Sequence, residues 1–320
     1  MISTKSIITV LKWAIIAVAY LFLAYKLMTF DKYDALREEW IKMPVSRVWW
    51  LVYVMALLPF NWLFETIKWR KMVSSIEAIS WTTAIQGILA GISTGFFTPN
   101  RVGEMVGRIA FLLPSNRKAG VTLSLVNSMT QNTVMAVFGI PACIYFFAKT
   151  QGSMETDMAG FLLLMIGVVF GFIALYAALP SIGKNLSESN LSKKAKEFIF
   201  CLSYYTKKDL AIIMGLSVVR YWIFCIQFYC MLQFFGIHLN ISQAFVAIPA
   251  NYLLVTFTPS LAFSEAAVRS SSALLFIGAY SGKVVHIALA GISIWAVNFI
   301  IPMVLGTVVM MMAKNFLKSK

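Results

Sequence analysis

The feature that most limits what this chain can fold into is a recurrence of long apolar runs along its 320 residues. Each reaches roughly 18 residues or more, enough to cross about 30 Å of hydrocarbon as a helix. Composition agrees: 60% of residues are hydrophobic and only 12% are charged, too little charge to cover a soluble domain of this size. The first run, Ile7–Phe30, is too long for a cleaved signal peptide, and no small-residue cleavage site followed by a soluble domain comes after it. It reads as an uncleaved first span.

Further spans are expected at Val48–Ile67, Val121–Ala148, Met158–Leu179, Leu210–Phe235 and Val284–Ala313. Between them lie two shorter runs, Thr82–Phe97 and Ala244–Phe257. Each is interrupted at a Thr-Pro step, Thr98-Pro99 and Thr258-Pro259, and each is followed by a second helical piece, to about Leu113 and over Ala262–Ala279. Proline removes a backbone donor and bars the preceding residue from the helix. Lys149–Asp157 reads as a polar linker. Lys184–Lys208 reads as a lysine-rich loop, with an interfacial helix over Ala195–Tyr205. The expected fold is therefore an all-α polytopic membrane protein with two halves, residues 1–153 and 154–320, each of three spans plus a broken or re-entrant helix pair. Both halves carry Glu and Arg four residues apart after the break, Glu104 with Arg108 and Glu265 with Arg269. A weak internal repeat of this kind marks many transporters.

The net charge of +14 would suggest nucleic acid in a soluble protein, but no basic domain stands outside the apolar runs. It reads instead as cytoplasmic loops rich in Lys and Arg. With the N-terminus in the cytoplasm, that side receives Lys5, Lys12, Lys68, Arg70, Lys71, Arg117, Lys118, the lysines of 184–208, and Lys314, Lys318 and Lys320. The other side receives Lys26, Lys32, Arg37, Lys42, Arg47, Lys149 and Lys283, beside six acids. This bias predicts both termini in the cytoplasm. The two broken pairs then enter from opposite sides, which makes the repeat inverted.

The charges left inside apolar segments are Glu65, Arg101, Glu104, Arg108, Arg220, Glu265 and Arg269. Each costs about 2.5–3.5 kcal/mol at mid-bilayer on insertion scales, so they are expected to face inward. Two readings stand: i,i+4 ion pairs that only hold the broken helices, or the lining of a polar pathway. The half-helix after the first break is expected to point free N–H groups at an anion beside Arg101, with Glu104 as a cap in the alternative. Asn127 and Gln131 share a face of the following span, as do Arg220 and Gln227; interhelical hydrogen bonds alone would also account for them. Trp49, Trp50, Trp62, Trp69 and Trp81 read as interfacial anchors, and His238 and His286, near helix ends, as interfacial residues. Cys143, Cys201, Cys225 and Cys230 form no CxxC pair and imply no metal. No cofactor motif and no soluble catalytic motif occurs in a supporting context.

Asn61-Trp62 with Lys68-Trp69-Arg70, then Thr98-Pro99-Asn100-Arg101-Val102-Gly103-Glu104 and Arg108, resembles the transmembrane region of the lysylphosphatidylglycerol synthase/flippase family. The second Thr-Pro with Glu265 stands at that family's second motif, although Ser260, Leu261, Ala262, Phe263 and Ser264 occupy a stretch where the family usually has glycines. Longer relatives carry a cytosolic aminoacyl-transferase domain; this chain ends just after its last span, so the resemblance implies no synthesis of an aminoacylated lipid. The expectation is a lipid translocase of a bacterial-type inner membrane. It would move a phospholipid or lipid-linked intermediate, recognised by an anionic headgroup or a lipid-linked phosphate, with oligomerisation left open. The alternatives are an integral membrane enzyme acting on a polyprenyl- or glycerolipid, and a scaffold for lipid synthesis.

Overall fold

The computed structural model describes residues 43–98, 101–151, 158–189, 192–260 and 262–313, with residues 28, 37 and 41 besides. The expected first span Ile7–Phe30, Pro99 at the first break, most of the linker before Met158 and the C-terminal lysines lie outside the described residues. Within them the only regular structure is helical. In chain order these are α1 (Val48–Val73), α2 (Trp81–Phe96), α3 (Gly103–Ile109), α4 (Arg117–Gln151), α5 (Met158–Ala177), α6 (Leu179–Glu188), α7 (Lys193–Ile199), α8 (Lys207–Phe234), α9 (Ile241–Phe257), α10 (Ala262–Phe276), α11 (Val284–Trp295) and α12 (Ile301–Met312). A π-helical turn, Ala296–Ile300, joins the last two into one long helix.

Among the described residues four segments are long and apolar enough to cross a membrane, Val45–Val73, Pro114–Thr150, Lys207–Phe234 and Val284–Met312. A fifth candidate is Leu163–Ala177 with Leu179–Glu188, bent by 55° between its parts. The pattern of burial is that of a protein whose solvent is hydrocarbon. Large apolar side chains such as Leu163, Phe170 and Met311 point outward, while Asn61, Glu65, Lys68, Asn127, Thr130, Ser217 and Gln227 are buried. The chain is a multi-pass membrane protein.

Two compact units interleave along the sequence. One comprises Met1–Leu58, Phe138–Ser153 and Phe224–Asn298; the other Pro59–Val137, Met154–Ile223 and Phe299–Lys320. Each unit holds one broken helix pair, α9–α10 in the first and α2–α3 in the second, with one end of each of α1, α4 and α8.

In the first unit α9 opens with a capping box: Asn240 Oδ1 accepts from the Gln243 backbone at 2.8 Å, and Gln243 Oε1 accepts from the Asn240 backbone at 3.0 Å. It ends at Thr258, so the break falls at the second Thr-Pro step. Phe146, Phe147, Phe276 and Tyr280 form a set of edge-on ring contacts there.

In the second unit α2 begins at an N-cap, the Ser80 hydroxyl accepting from the Thr83 N–H at 3.0 Å. Its far end doubles back into α3 at backbone distance. A Cβ on Gly107 would lie 2.4 Å from the Ala90 carbonyl oxygen, and one on Gly91 2.9 Å from Glu104 O. Gly87, Gly91 and Gly95 on α2 and Gly103 and Gly107 on α3 recur every fourth position, the small-residue spacing that lets membrane helices touch along their backbones. α12 approaches the other side of α2 in the same way: Gly306 abuts the Leu89 carbonyl, and Ser93 and Thr307 hydroxyls meet at 2.8 Å. A core of Trp69, Met72, Ile88, Leu123, Tyr176, Tyr205 and Ile213 lies alongside. Its two phenols are satisfied, Tyr205 donating to Met72 O at 2.7 Å and Tyr176 to Leu210 O at 2.8 Å.

Three local expectations change. The start of the stretch expected as the Lys184–Lys208 loop is helical, because α5 turns directly into α6, while the helix expected over Ala195–Tyr205 is present as α7 and a 3-10 turn, Phe200–Tyr204. Trp69 is no interfacial anchor: it is 1% exposed, packed in the core of the second unit. His286 is likewise buried, within α11, whereas His238 sits in a turn and bonds Gln233 at 2.7 Å. The cysteines are all free, and Cys201, Cys225 and Cys230 are buried.

Candidate functional site

The site grows from one face of α1. Asn61, Glu65, Lys68 and Trp69 fall at the i, i+4, i+7, i+8 spacing that places side chains on a common stripe. Glu65 is 1% and Lys68 0% exposed, so neither can be solvated by water or lipid headgroups. Glu65 is the hub. Its Oε1 receives Arg108 Nη2 at 2.7 Å and Asn127 Nδ2 at 2.8 Å. Its Oε2 faces Arg220 Nη1 at 2.8 Å and Lys68 Nζ at 3.1 Å. One carboxylate thus gathers three cations and an amide from α1, α3, α4 and α8. Arg220 Nε also donates to Asn61 Oδ1 at 2.7 Å, and Lys68 donates to the Ser217 hydroxyl at 3.2 Å. Such a cluster is stable only because nearly every charged group finds an opposite charge or a hydrogen bond.

The first helix break supplies the rest. Arg108, 3% exposed, pairs with Glu104 as well as with Glu65 and lies over the Trp69 ring at 5.5 Å. Glu104 Oε2 is 3.5 Å from Arg101 Nη2. Arg101 stands at the break with φ +59°, the one non-glycine residue with positive φ among those described. That conformation is costly for a side chain with a Cβ. The guanidinium is held over the Phe299 ring, 4.3 Å from its centroid, and Phe299 belongs to the π-helical turn. Turns of this kind interrupt long helices most often at functional places.

Two of the N–H groups at the break have partners within the protein. The Thr98 hydroxyl accepts from the Gly103 N–H at 2.7 Å, and the Arg101 N–H reaches Thr98 O. The Thr98 side chain thus holds the first N–H of α3. The carboxylate of Glu104 is committed to arginines instead.

Of the residues singled out from sequence, the structure brings Glu65, Arg101, Glu104, Arg108, Asn127 and Arg220 into one connected network. Gln131 lies one turn beyond Asn127 on α4, with its amide buried and making no hydrogen bond among the described residues. Glu265 and Arg269 belong to the other unit, on α10, and pair with each other at 2.8 Å. Lys68, Asn61, Ser217 and Phe299 were not anticipated as part of the network. Lys68 read as a loop cation because it opens a basic run, yet its spacing of three from Glu65 was the available signal. An apolar groove of about 410 Å³ lies between α1 and α2, lined among others by Trp62, Leu63, Thr66, Trp81 and Ile85. Glu65 is not among the residues that line it. The groove can receive hydrocarbon but offers a headgroup no polar contact. No group of three His, Cys, Asp or Glu among the described residues is placed to hold a metal.

No curated protein matches this sequence. No solved structure matches it either. The family described as Lysylphosphatidylglycerol synthase TM region matches residues 9–306. That match takes in α1 to α11, both helix breaks and every residue of the Glu65 network; the chain belongs to the family of the lysylphosphatidylglycerol synthase transmembrane region.

Proposed function

We propose that this chain is a membrane lipid translocase, and that the Glu65 network engages the anionic headgroup of a phospholipid or lipid-linked intermediate as it passes. The observation that carries the reading is a charged network buried in membrane helices and joined to a helix break, with positive charge in excess. Among the described residues four cations, Lys68, Arg101, Arg108 and Arg220, face two carboxylates, Glu65 and Glu104. Intramembrane charge at a discontinuous helix usually marks a substrate route. Membership of a lipid-related family supports the same reading. Arg101 is the entry contact and Arg220 the second, because both retain exposure while Lys68 and Arg108 have almost none.

The halves 1–153 and 154–320 form an inverted repeat in this proposal. Ser80 and Asn240 cap the first helix of each broken pair, Thr98-Pro99 and Thr258-Pro259 break them, and Glu104/Arg108 and Glu265/Arg269 follow, in the same order. Glu265 and Arg269 take the corresponding headgroup-binding role in the second half. The protein lies in a bacterial-type inner membrane with both termini cytoplasmic, as its Lys/Arg distribution supports.

The test is reconstitution into liposomes with headgroup-labelled lipids. Sidedness should change while the lipid's mass does not, and Arg101→Lys and Glu104→Gln should abolish most of the movement. A lipid recovered with an altered mass would make the chain an enzyme; full movement by both variants would remove the network from the path.

A further inference from the structure

The charge balance of the Glu65 network narrows the headgroup further, given that the network is the headgroup site. Among the described residues the network carries two more positive than negative charges, in a setting where Glu65 and Lys68 are sealed from solvent. Uncompensated charge there is expensive. Arg108 and Arg220 both reach Glu65, and Arg108 and Arg101 both reach Glu104, so the excess is shared along the network rather than confined to one side chain. Arg108 Nη1 is also buried with no acceptor among the described residues. An orphaned charged donor of this kind calls for an oxygen.

A phosphodiester brings one negative charge and leaves one positive charge unmatched. A terminal phosphate, singly esterified, carries about −1.5 to −2 near pH 7 and three acceptor oxygens, enough to match the excess. Arg101 and Arg220 offer planar forks that bind such a group bidentately. The Arg101 guanidinium lies over the Phe299 ring and stands 3.5 Å from Glu104. From this we infer that the site selects a lipid ending in a dianionic phosphate, a phosphomonoester or a terminal diphosphate, over a phosphodiester lipid. A diacyl phosphate and a polyprenyl phosphate present the same chemistry and differ only in their chains.

The experiment is binding by the full chain in phosphatidylcholine nanodiscs, with phosphatidic acid, a polyprenyl phosphate or phosphatidylglycerol as competitors against a fluorescent anionic lipid. At about pH 8 the two monoesters should bind roughly tenfold tighter than phosphatidylglycerol, the effect of about one further hydrogen bond to a charged group. The advantage should vanish as pH falls to about 5, through the phosphate's second ionisation near 6. Phosphatidylglycerol, which lacks that ionisation, is the reference at each pH. It thereby reports any titration of the facing groups, Glu65 and Lys68 on α1, Glu104 and Arg108 on α3, Arg101 at the break and Arg220 on α8. Arg220→Gln and the rim variant Arg101→Gln each remove one excess charge and should bring the monoester preference close to unity, the latter without loss of thermal stability. Whichever monoester binds tighter identifies the chain type. Equal binding of monoester and diester at both pH values, or a preference intact in Arg101→Gln, overturns this inference and leaves lipid translocation standing. No binding of any anionic lipid above phosphatidylcholine overturns both.

Discussion

Glu65 and Arg101 do opposite work. Glu65 is enclosed and holds three cations, so its removal leaves positive charges facing one another in a low dielectric. Glu65→Gln should cost about 3–5 kcal/mol, the penalty of breaking a buried ion pair from one side, and appear as a large fall in melting temperature in detergent together with loss of lipid movement. Arg101 sits at the edge in a conformation that strains it. Arg101→Gly should relieve about 1 kcal/mol or more of backbone strain, leaving the melting temperature unchanged or raised while lipid movement is lost. An Arg101→Gly variant that moves lipid at the native rate would place the headgroup elsewhere. The i,i+4 spacing of Glu104 and Arg108 was legible in the chain because it is local. The participation of Lys68 was not, because a lysine at the start of a basic run looks the same in sequence whether it ends in water or beneath a neighbouring helix.

At the level of elements, the broken pair α2–α3 depends on absent side chains. Gly107→Ala would put a Cβ 2.4 Å from the Ala90 carbonyl oxygen, a backbone atom that cannot swing away. The expected cost is about 1–3 kcal/mol, as for other overpacked sites, with displacement of Glu104 and Arg108 and loss of transport. Gly215→Ala on α8, where nothing lies within 4 Å of the added methyl, should leave melting temperature and transport unchanged. A Gly107→Ala protein indistinguishable from wild type would show that the hairpin does not rely on backbone contact. The break itself was visible in Thr-Pro, but the way it is closed was not. Thr98 captures the Gly103 N–H, so the residue paired with proline in the motif is also the cap. The lysine-rich stretch after α5 was misjudged because its charge resembles a loop, while α6 there is a helix that begins with Leu179-Pro180, where proline at the first turn is tolerated.

For the molecule as a whole, the proposed orientation puts the α6–α7 connection in the cytoplasm. A cysteine introduced by Ser189→Cys should resist an impermeant maleimide in intact cells and react once the membrane is opened; labelling from outside would reverse the orientation. Cys201 should not interfere, since burial pushes its thiol up to about 12. It therefore stays protonated and unreactive at neutral pH and gains thiolate only far above it. What the sequence determined by itself was the solvent and the local geometry. Apolar runs of membrane length, their breaks at Thr-Pro and the carboxylate–arginine pairs one turn apart all follow from interactions between residues near in the chain. What the tertiary structure decided was which charges share a partner. Arg108, Asn127 and Arg220 reach Glu65 from three other helices, and the low dielectric that makes their balance matter exists only once those helices have packed and excluded both water and lipid.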